Sequence, residues 1–280
     1  MTTLVTGATG RLGIRFLPRL LDRGESVRVL ARDPARTELV QARGVDVVSG
    51  DLRDAGARAR AVDGVDEIVH LAASFRGVPD DEAVAVNETA TIALAETALD
   101  ADVPRFVYAS TNLVYGPGRG RPAREDDAPA PAGAYPSSKA AAEEALSGLH
   151  RDRGLGVRIV RFAFVYGERD PHLAESLMWA RQWPAHKRLH MVHHADVGQA
   201  LLLALRAGGI DGETFNAADD APVTALELFE LNREPLPGDA STRALDDPWE
   251  GIVDTVKIRD ELGFRPLYSS VHAAKAAGAL

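Results

Sequence analysis

A glycine-rich segment near the start of the chain constrains its fold more than any other feature. Residues 6–13 read Thr-Gly-Ala-Thr-Gly-Arg-Leu-Gly, after the apolar run Thr3–Val5 and before a helical pattern. Gly7 permits a tight turn, Gly10 lets the backbone approach a pyrophosphate, and Gly13 lets the helix pack closely against a sheet. The helix N-terminus then favours phosphate. The segment predicts a dinucleotide site, although an ordinary βα turn can carry the same glycines.

Short apolar runs alternate with longer helical patterns, which indicates β-α units around a parallel sheet. Each run is mostly apolar, as expected of strands covered by helices on both faces. The predicted strands are Thr3–Val5, Ser26–Leu30, Asp46–Val48, Glu67–Leu71, Arg105–Ala109 and Val157–Arg161. The predicted helices are Leu12–Arg23, Ala55–Val62, Asp81–Asp100 and Ser137–Arg153. We therefore expect an α/β fold with a doubly wound parallel sheet of the Rossmann type.

Bulk composition excludes several classes of function. The net charge of −9 argues against non-specific nucleic-acid binding, which requires a basic surface. No apolar run approaches the roughly 18 residues of a membrane helix and no signal peptide precedes the first strand, so we expect a cytoplasmic protein with no membrane partner. The chain has no cysteine. Its chemistry must therefore come from hydroxyls, carboxylates, amines, imidazoles or a bound cofactor.

The residue that ends the second predicted strand indicates which dinucleotide binds. An acidic residue there hydrogen-bonds the ribose 2′-hydroxyl of NAD, whereas an arginine pairs with the 2′-phosphate of NADP. Arg32 occupies this position, and Arg11 of the glycine loop is a second candidate for the same phosphate. Asp33 follows directly and offers the acidic alternative. We predict NADP(H) as the cofactor, with NAD(H) as the alternative.

The second chemical signal is a tyrosine four residues before a lysine, Tyr135 and Lys139, at the start of a predicted helix. This spacing puts both side chains on one helical face. A free tyrosine titrates near ~10, and a neighbouring ammonium and the positive nicotinamide of an oxidised cofactor both favour the phenolate. Tyr135 would then exchange a proton with a hydroxyl while hydride moves at the adjacent carbon. By itself, the pair also fits the start of a surface helix.

Together with these features, further segments resemble the extended short-chain dehydrogenase/reductases, the group that contains sugar-nucleotide epimerases and dehydratases. The glycines match the family's TGxxGxxG loop, Asp51 matches an aspartate that contacts the adenine, and Asn87 matches a structural asparagine. The resemblance implies a cofactor site formed by Gly7, Thr9, Gly10, Arg11, Leu12, Gly13, Arg32, Asp51, Leu52, Leu71, Ala72, Ala73, Tyr135 and Lys139.

Residues 108–116 resemble the family's SSxxVYG stretch, and the catalytic hydroxyl of that stretch falls on Thr111. Ser110 is the second choice. The resemblance gives Thr111 a hydrogen bond to the substrate oxygen beside Tyr135, while Lys139 holds the nicotinamide ribose. The implied catalytic set is therefore Thr111, Tyr135 and Lys139.

Later segments match the family as well. One resembles RPxNVYGP with Phe164 in place of the asparagine, and residues 192–197 resemble VHVxDV, a segment that returns to the main domain. We therefore divide the chain into a dinucleotide-binding Rossmann domain, 1–165, and a mainly substrate-binding region, 166–280. A segment near 190–207 is expected to return to the Rossmann domain.

The substrate is harder to infer than the fold. Phe164 cannot hydrogen-bond a sugar, and Met178, Trp179 and Trp183 make the C-terminal region rather apolar, unless these large residues only build its core. A flat or hydrophobic ketone or alcohol therefore competes with a sugar nucleotide. We predict substrate contacts from Thr111, Phe164 and His193.

Three clustered histidines, His190, His193 and His194, invite comparison with a metal site. No group of aspartate or glutamate accompanies them at ligand spacing, and the family pattern accounts for His193. We therefore predict no metal.

The leading hypothesis is hydride transfer between NADP(H) and a small-molecule secondary alcohol/ketone pair, with Tyr135 as acid/base, Thr111 orienting the carbonyl and Lys139 tuning Tyr135. Epimerisation or dehydration of a sugar nucleotide, with transient cofactor reduction, is the alternative. A non-catalytic NADP sensor is a third hypothesis, and the retained Tyr135 and Lys139 count against it. The resemblance also implies a homodimer formed through helices near Ala83–Ala98 and Ala140–Leu149.

Overall fold

A parallel sheet forms the centre of the molecule. The computed structural model describes residues 1–37, 41, 43–75 and 77–280. Its strands are β1 (Thr2–Thr6), β2 (Ser26–Ala31), β3 (Asp46–Ser49), β4 (Glu67–His70), β5 (Phe106–Thr111), β6 (Val157–Phe162), β7 (Phe164–Tyr166), β8 (Arg188–Leu189), β9 (Met191–His193), β10 (Thr214–Ala217) and β11 (Val223–Thr224). Seven of these pair in the order β3-β2-β1-β4-β5-β6-β10. The order reverses between β1 and β4, where doubly wound sheets bind ligands at the carboxyl ends of their strands.

Helices cover both faces of this sheet. They are α1 (Gly13–Leu21), α2 (Ala55–Val62), α3 (Asp80–Val84), α4 (Ala90–Asp100), α5 (Ala134–Arg153), α6 (His172–Glu175), α7 (Leu177–Ala180), α8 (His194–Arg206), α9 (Ala225–Leu231), α10 (Val256–Leu262) and α11 (Val271–Ala276). A π-helical segment, Ala85–Thr89, joins α3 to α4.

Alternating strand residues build two separate cores. In β1, Leu4 packs with α4 residues such as Leu94 on one face, while Val5 packs with Phe16 of α1 and Leu201 of α8 on the other. All these side chains are at most 1% exposed. Because successive strand residues point to opposite faces, a parallel sheet covered on both sides needs apolar residues at nearly every position.

The C-terminal part contributes both to this sheet and to a smaller layer. The long helix α8 packs against α1 and the sheet, and β10 forms the edge of the sheet beside β6. The remaining strands form a parallel pair, β7 with β9, and an antiparallel pair, β8 with β11. The chain thus returns to the main sheet at β10 as well as at α8.

The predicted fold class is confirmed, and all six predicted strands are present within one or two residues at each end. The edge strand β10 lacks a sequence prediction. The π-helical segment interrupts what the sequence predicts as one regular helix, Asp81–Asp100. Among the residues that the structure describes, none of the helices combines the length and apolar character needed to cross a membrane.

Candidate active site

The glycine loop has the close backbone packing that its sequence predicts. Gly7 has a φ of +69°, and a Cβ there would lie 2.5 Å from the backbone nitrogen of Ala72. A Cβ on Gly13 would overlap the carbonyl oxygen of Gly7 and the backbone of Ala8. Gly10 is exposed at the start of α1, with its N–H bonded to the Gly7 carbonyl at 2.9 Å. This cradle of bare backbone at a helix N-terminus fits a dinucleotide pyrophosphate.

Arg11 is not presented to a ribose phosphate as the sequence suggests. Its guanidinium donates two hydrogen bonds of 2.8 Å to the carboxylate of Glu175, and a third of 3.3 Å to Asp170. These partners raise the pKa of Arg11, with the Glu175 hydrogen bond as the largest cause. Bidentate charge-assisted pairing holds a guanidinium in one orientation. Arg11 therefore ties the glycine loop to the C-terminal region.

A different arginine approaches the loop from the end of β2. Arg36, which lies in a short 3-10 turn after β2, donates a 2.7 Å hydrogen bond to the carbonyl of Thr9. Arg32 itself is exposed. Sequence reasoning missed Arg36, although a second arginine close behind Arg32 in the sequence is a signal that could have found it.

The predicted adenine-contacting residues follow β3. Asp51 accepts hydrogen bonds of 2.8 Å from the backbone N–H and from the side chain of Arg53. The side-chain bond from Arg53, assisted by the nearby charge of Arg32, lowers the pKa of Asp51 to about 2. Leu52 is only 7% exposed and packs in the core against α2.

The segment after β4 is fixed to α5, the helix that carries the predicted catalytic residues Tyr135 and Lys139. Leu71 extends the pairing of β4 through a 3.2 Å hydrogen bond to Thr6, with Ala72 and Ala73 following it toward the surface. The buried amide of Asn87 brackets Ser74, accepting from its N–H at 2.7 Å and donating to its carbonyl at 2.9 Å. Asn87 also donates to the hydroxyl of Ser138 in α5 at 3.1 Å.

Tyr135 and Lys139 lie on one face of α5, but only the tyrosine is partly exposed. The amine of Lys139 is buried, donates a 2.6 Å hydrogen bond to the carbonyl of Ala109 and lies 4.0 Å from the centre of the Tyr108 ring. Burial lowers the pKa of Lys139 to about 7, against an opposing effect from Glu143. A surface helix would leave the amine in water, so that alternative is wrong.

The two candidate hydroxyls at the end of β5 differ in their surroundings. The Thr111 hydroxyl oxygen accepts a 3.2 Å hydrogen bond from the Leu113 N–H and keeps its own proton to donate. The Ser110 hydroxyl is buried and has no hydrogen-bond partner within the described chain.

A network of buried polar side chains connects α5 to the neighbouring strands of the sheet. Arg161 of β6 donates to Glu143 of α5 at 2.6 Å and to the Tyr115 hydroxyl at 2.8 Å. That hydroxyl donates to Asn216 of β10 at 2.7 Å, and the Asn216 N–H donates to Glu125 at 2.8 Å. Such fully satisfied networks hold neighbouring elements in one arrangement. This one links α5 to both strands at that edge of the sheet.

A chain of aromatic rings from four other segments leads to Tyr135. Phe75 meets the Tyr135 ring edge to face, with 4.6 Å between ring centres. Phe164 stacks on His172 at 4.0 Å, and His172 in turn meets the edges of Phe75 and Trp179. Phe75 and His172 carry no sequence signal for this position, because only the fold brings Phe75 beside Tyr135 and His172 beside Phe75.

His193 does not join this group. Its Nδ1 accepts the N–H of Ala195 at 3.1 Å as the cap of α8, its Nε2 bonds the carbonyl of Ala279 at 2.9 Å, and its side chain is 1% exposed. Both ring nitrogens are therefore engaged by the main chain, which explains the position without a substrate. His190 is buried likewise and bonds the carbonyl of Asp219. No group of three or more potential metal ligands occurs among the described residues.

Comparisons with known proteins agree with this geometry. A family model described as the NAD dependent epimerase/dehydratase family matches residues 3–218. The 4-hydroxy-2-methyl-3-oxo-4-farnesyl-3,4-dihydroquinoline-1-oxide ketoreductase of Stigmatella aurantiaca is 32% identical over 242 residues, which cover 82% of this chain and 72% of that protein. The dTDP-glucose 4,6-dehydratase of Streptomyces niveus is 30% identical over an alignment of 297 positions. This alignment covers 95% of this chain and 88% of that protein.

Solved structures are similar over almost the whole chain. The dTDP-glucose 4,6-dehydratase of Streptomyces venezuelae, with NAD bound, superposes with a TM-score of 0.82 at 30% identity and covers 99% of this chain and 95% of its own. A short-chain dehydrogenase/reductase superfamily protein of Agrobacterium tumefaciens, also with NAD bound, gives a TM-score of 0.81 at 25% identity, with 99% and 96% covered. The similarity thus includes the C-terminal region.

Proposed function

The chain belongs to the NAD-dependent epimerase/dehydratase family of extended short-chain dehydrogenase/reductases, and we propose that it is a reductase that interconverts a ketone and a secondary alcohol with NADP(H). The observation that carries the proposal is the Lys139 amine, buried one helical turn from Tyr135 and beside β5. A buried amine next to a partly exposed phenol is an arrangement for proton transfer. The ketoreductase among the relatives supports a net redox reaction.

Each residue of the proposed active site has a distinct role in the reaction. In the direction of reduction, Tyr135 donates its proton to the carbonyl oxygen, and the Thr111 hydroxyl donates a hydrogen bond to the same oxygen. The positive charge of Lys139 stabilises the phenolate that remains. When bound, the nicotinamide supplies the hydride. The backbone cradle at Gly7, Gly10 and Gly13 holds the pyrophosphate and thereby orients the cofactor.

We propose NADP(H) as the preferred cofactor because two arginines, Arg32 and Arg36, follow β2 beside the glycine loop. Solved relatives bind NAD, so the preference needs a direct test. Titration should give a lower Kd for NADPH than for NADH. Arg32→Ala should raise the NADPH Kd by about 10- to 100-fold and leave the NADH Kd unchanged, whereas Arg36→Ala, which also removes the bond to Thr9, should weaken NADPH more than NADH. The exposed Arg23→Ala is the matched control. Tighter binding of NADH by the unaltered protein would contradict the preference.

Epimerisation or dehydration of a sugar nucleotide is the second candidate, favoured by dehydratase relatives that cover 95% of the chain. One feature of the structure speaks against a diphosphate substrate. Two basic side chains of the C-terminal region are paired with acids, Arg181 with Glu234 at 3.5 Å and Lys187 with Glu250 at 2.6 Å. A diphosphate would have to displace these carboxylates.

The two candidates are separated by following the near-ultraviolet absorbance of the reduced nicotinamide. A reductase consumes one NADPH for each alcohol formed. An epimerase or dehydratase converts a sugar nucleotide with no net change in cofactor absorbance. Turnover of dTDP-glucose or UDP-glucose at constant absorbance, with no reduction of any ketone in a panel, would replace the first proposal by the second.

A further inference from the structure

Resting on the proposed ketone reduction, we propose that the substrate is an aryl ketone, with its planar ring bound along an aromatic strip that leads away from Tyr135. The aromatic strip is defined as Phe75, Phe164, His172 and Trp179. These four residues come from the segment after β4, from β7, from α6 and from α7.

The strip begins in direct contact with the reacting phenol. The rings of Phe75 and Tyr135 are 4.6 Å apart between centres and inclined at 67°. Phe75 is 37% exposed, so part of its side chain is accessible to solvent beside Tyr135. A substrate whose carbonyl oxygen reaches Tyr135 therefore has the Phe75 side chain beside its own substituent.

The next ring of the aromatic strip is that of His172, which its neighbours hold in one orientation. His172 stacks on Phe164 with 4.0 Å between ring centres and an inclination of 22°. It meets Phe75 edge to face at 5.9 Å and 90°, and Trp179 at 6.3 Å and 76°. A 3.0 Å hydrogen bond between His172 Nδ1 and the carbonyl of Val165 fixes its plane. The wall beside Tyr135 is thus made of preorganised ring faces and edges.

Such a wall distinguishes a flat aromatic ring from a saturated ring of the same size. Aromatic pairs at centre separations of about 4.5–7 Å gain roughly 2- to 10-fold in binding beyond the area that they bury, because ring faces and edges carry opposite partial charges. A puckered saturated ring lacks this quadrupole and cannot lie flat. An aryl ketone also needs no cation, which agrees with the pairing of Arg181, two residues after Trp179, with Glu234.

The test compares acetophenone with cyclohexyl methyl ketone, which share a carbon skeleton. We expect the ratio of their kcat/KM values, aryl over saturated, to fall by about 3- to 10-fold in Phe75→Leu and in Trp179→Leu. The variant-to-wild-type comparison cancels the different intrinsic reactivities of the two ketones. Met178→Leu, at a 66% exposed position next to Trp179, is the matched control and should leave the ratio unchanged.

A second measurement separates this inference from the proposed function. Binding of 1-phenylethanol and of 1-cyclohexylethanol to the protein loaded with NADP⁺ is measured by calorimetry, which requires no turnover. Tighter binding of the aryl alcohol, lost in Phe75→Leu with the NADP⁺ Kd preserved, supports the aromatic strip even if neither ketone is reduced. Reduction of both ketones with the same ratio in all variants would overturn the inference and leave the reductase intact. Equal binding of the two alcohols would also overturn it.

Discussion

At the scale of single residues, the environment of Lys139 decides what the site can do. Its amine lies among the Ala109 carbonyl, the Tyr108 ring and the imidazole of His70, whose own pKa burial and Lys139 lower to about 3. His70 is therefore neutral at physiological pH. Lys139, with its pKa lowered to about 7, can exist with or without its proton in the neutral range. A group poised in this way suits the proton transfer that we propose for Tyr135.

The shifted pKa of Lys139 has a consequence for stability. A pKa lowered from 10.5 to about 7 means that the unfolded chain binds this proton more tightly than the folded one. The cost of burying the charge is therefore fully present below pH 7 and is relieved as the pH rises toward 10.5. Relative to Lys139→Met, the free energy of unfolding of the cofactor-free protein should rise by more than about 1 kcal/mol between pH 6 and pH 10. Urea unfolding of both proteins at the two pH values measures this change in unfolding free energy. A difference in unfolding free energy between the two proteins that does not vary with pH would contradict the lowered pKa of Lys139.

Among changes of a single atom, removal of the Tyr135 phenol oxygen is expected to lower activity the most. Tyr135→Phe removes the proton donor but keeps the ring that contacts Phe75. Ketone reduction should fall by about 10²- to 10⁴-fold in kcat, because positioned acid–base catalysis is lost, while the cofactor Kd stays unchanged. Steady-state kinetics and a binding titration test this. Tyr268→Phe, at the His193 end of the C-terminal region, is the matched control and should keep full activity.

At the scale of elements, the turn between β1 and α1 depends on the absence of side chains. Gly13→Ala would drive a Cβ into the Gly7 carbonyl, so the turn must open. We expect a loss of stability of about 1–3 kcal/mol, as for other overpacked sites, and cofactor binding weakened by at least about 10-fold. Gly208→Ala, where a Cβ meets nothing within 4 Å, should change neither quantity. Thermal unfolding and cofactor titration compare the two variants, and equal behaviour would contradict the close packing.

Some elements of the fold can be predicted from the sequence and others cannot. Periodicity and glycine spacing locate β1 through β6 because each strand is a short apolar run that needs no knowledge of its partners. The strand β10 contains Asn216, which is buried only because Tyr115 and Glu125 satisfy its amide and backbone. The π-helical segment that turns Asn87 toward Ser74 has no local sequence signal. Such features depend on tertiary partners.

The residues of the candidate site also differ in whether the sequence alone predicts their position. Tyr135 and Lys139 form a spacing that can be recognised from sequence alone, and the family that this resemblance implies is confirmed. Arg11 was expected beside a ribose phosphate, and its pairing with Glu175 arises from a contact between residues 164 positions apart. Phe75 contacts Tyr135 and His172 contacts Phe75, and both contacts join residues far apart in the sequence.

At the scale of the whole molecule, the helices α4 and α5 lie side by side on one face of the sheet. Their inner faces are buried, while Val84 at the end of α3 is 41% exposed and Ile92 and Leu149 are half-buried. We propose that this face pairs with a second copy of the chain. Sedimentation should give a species of twice 29.9 kDa.

Matched substitutions test the face itself. Val84→Glu places a charge in the proposed interface and should shift the protein toward monomer. Val256→Glu, at a 59% exposed position on α10, should leave the dimer intact. A protein that sediments only as a 29.9 kDa species at micromolar concentration would contradict the dimer.

The most direct measurement of the proposed chemistry is the fate of deuterium carried at both hydrogen positions of C4 of NADPH during turnover of acetophenone. If Tyr135 and Lys139 serve a net reduction, mass spectrometry should find one deuterium at the carbinol carbon of each 1-phenylethanol molecule, and Tyr135→Phe should slow its appearance in proportion to kcat. Alcohol without the label, or labelling at an unchanged rate in Tyr135→Phe, would contradict the reductase proposed for this chain.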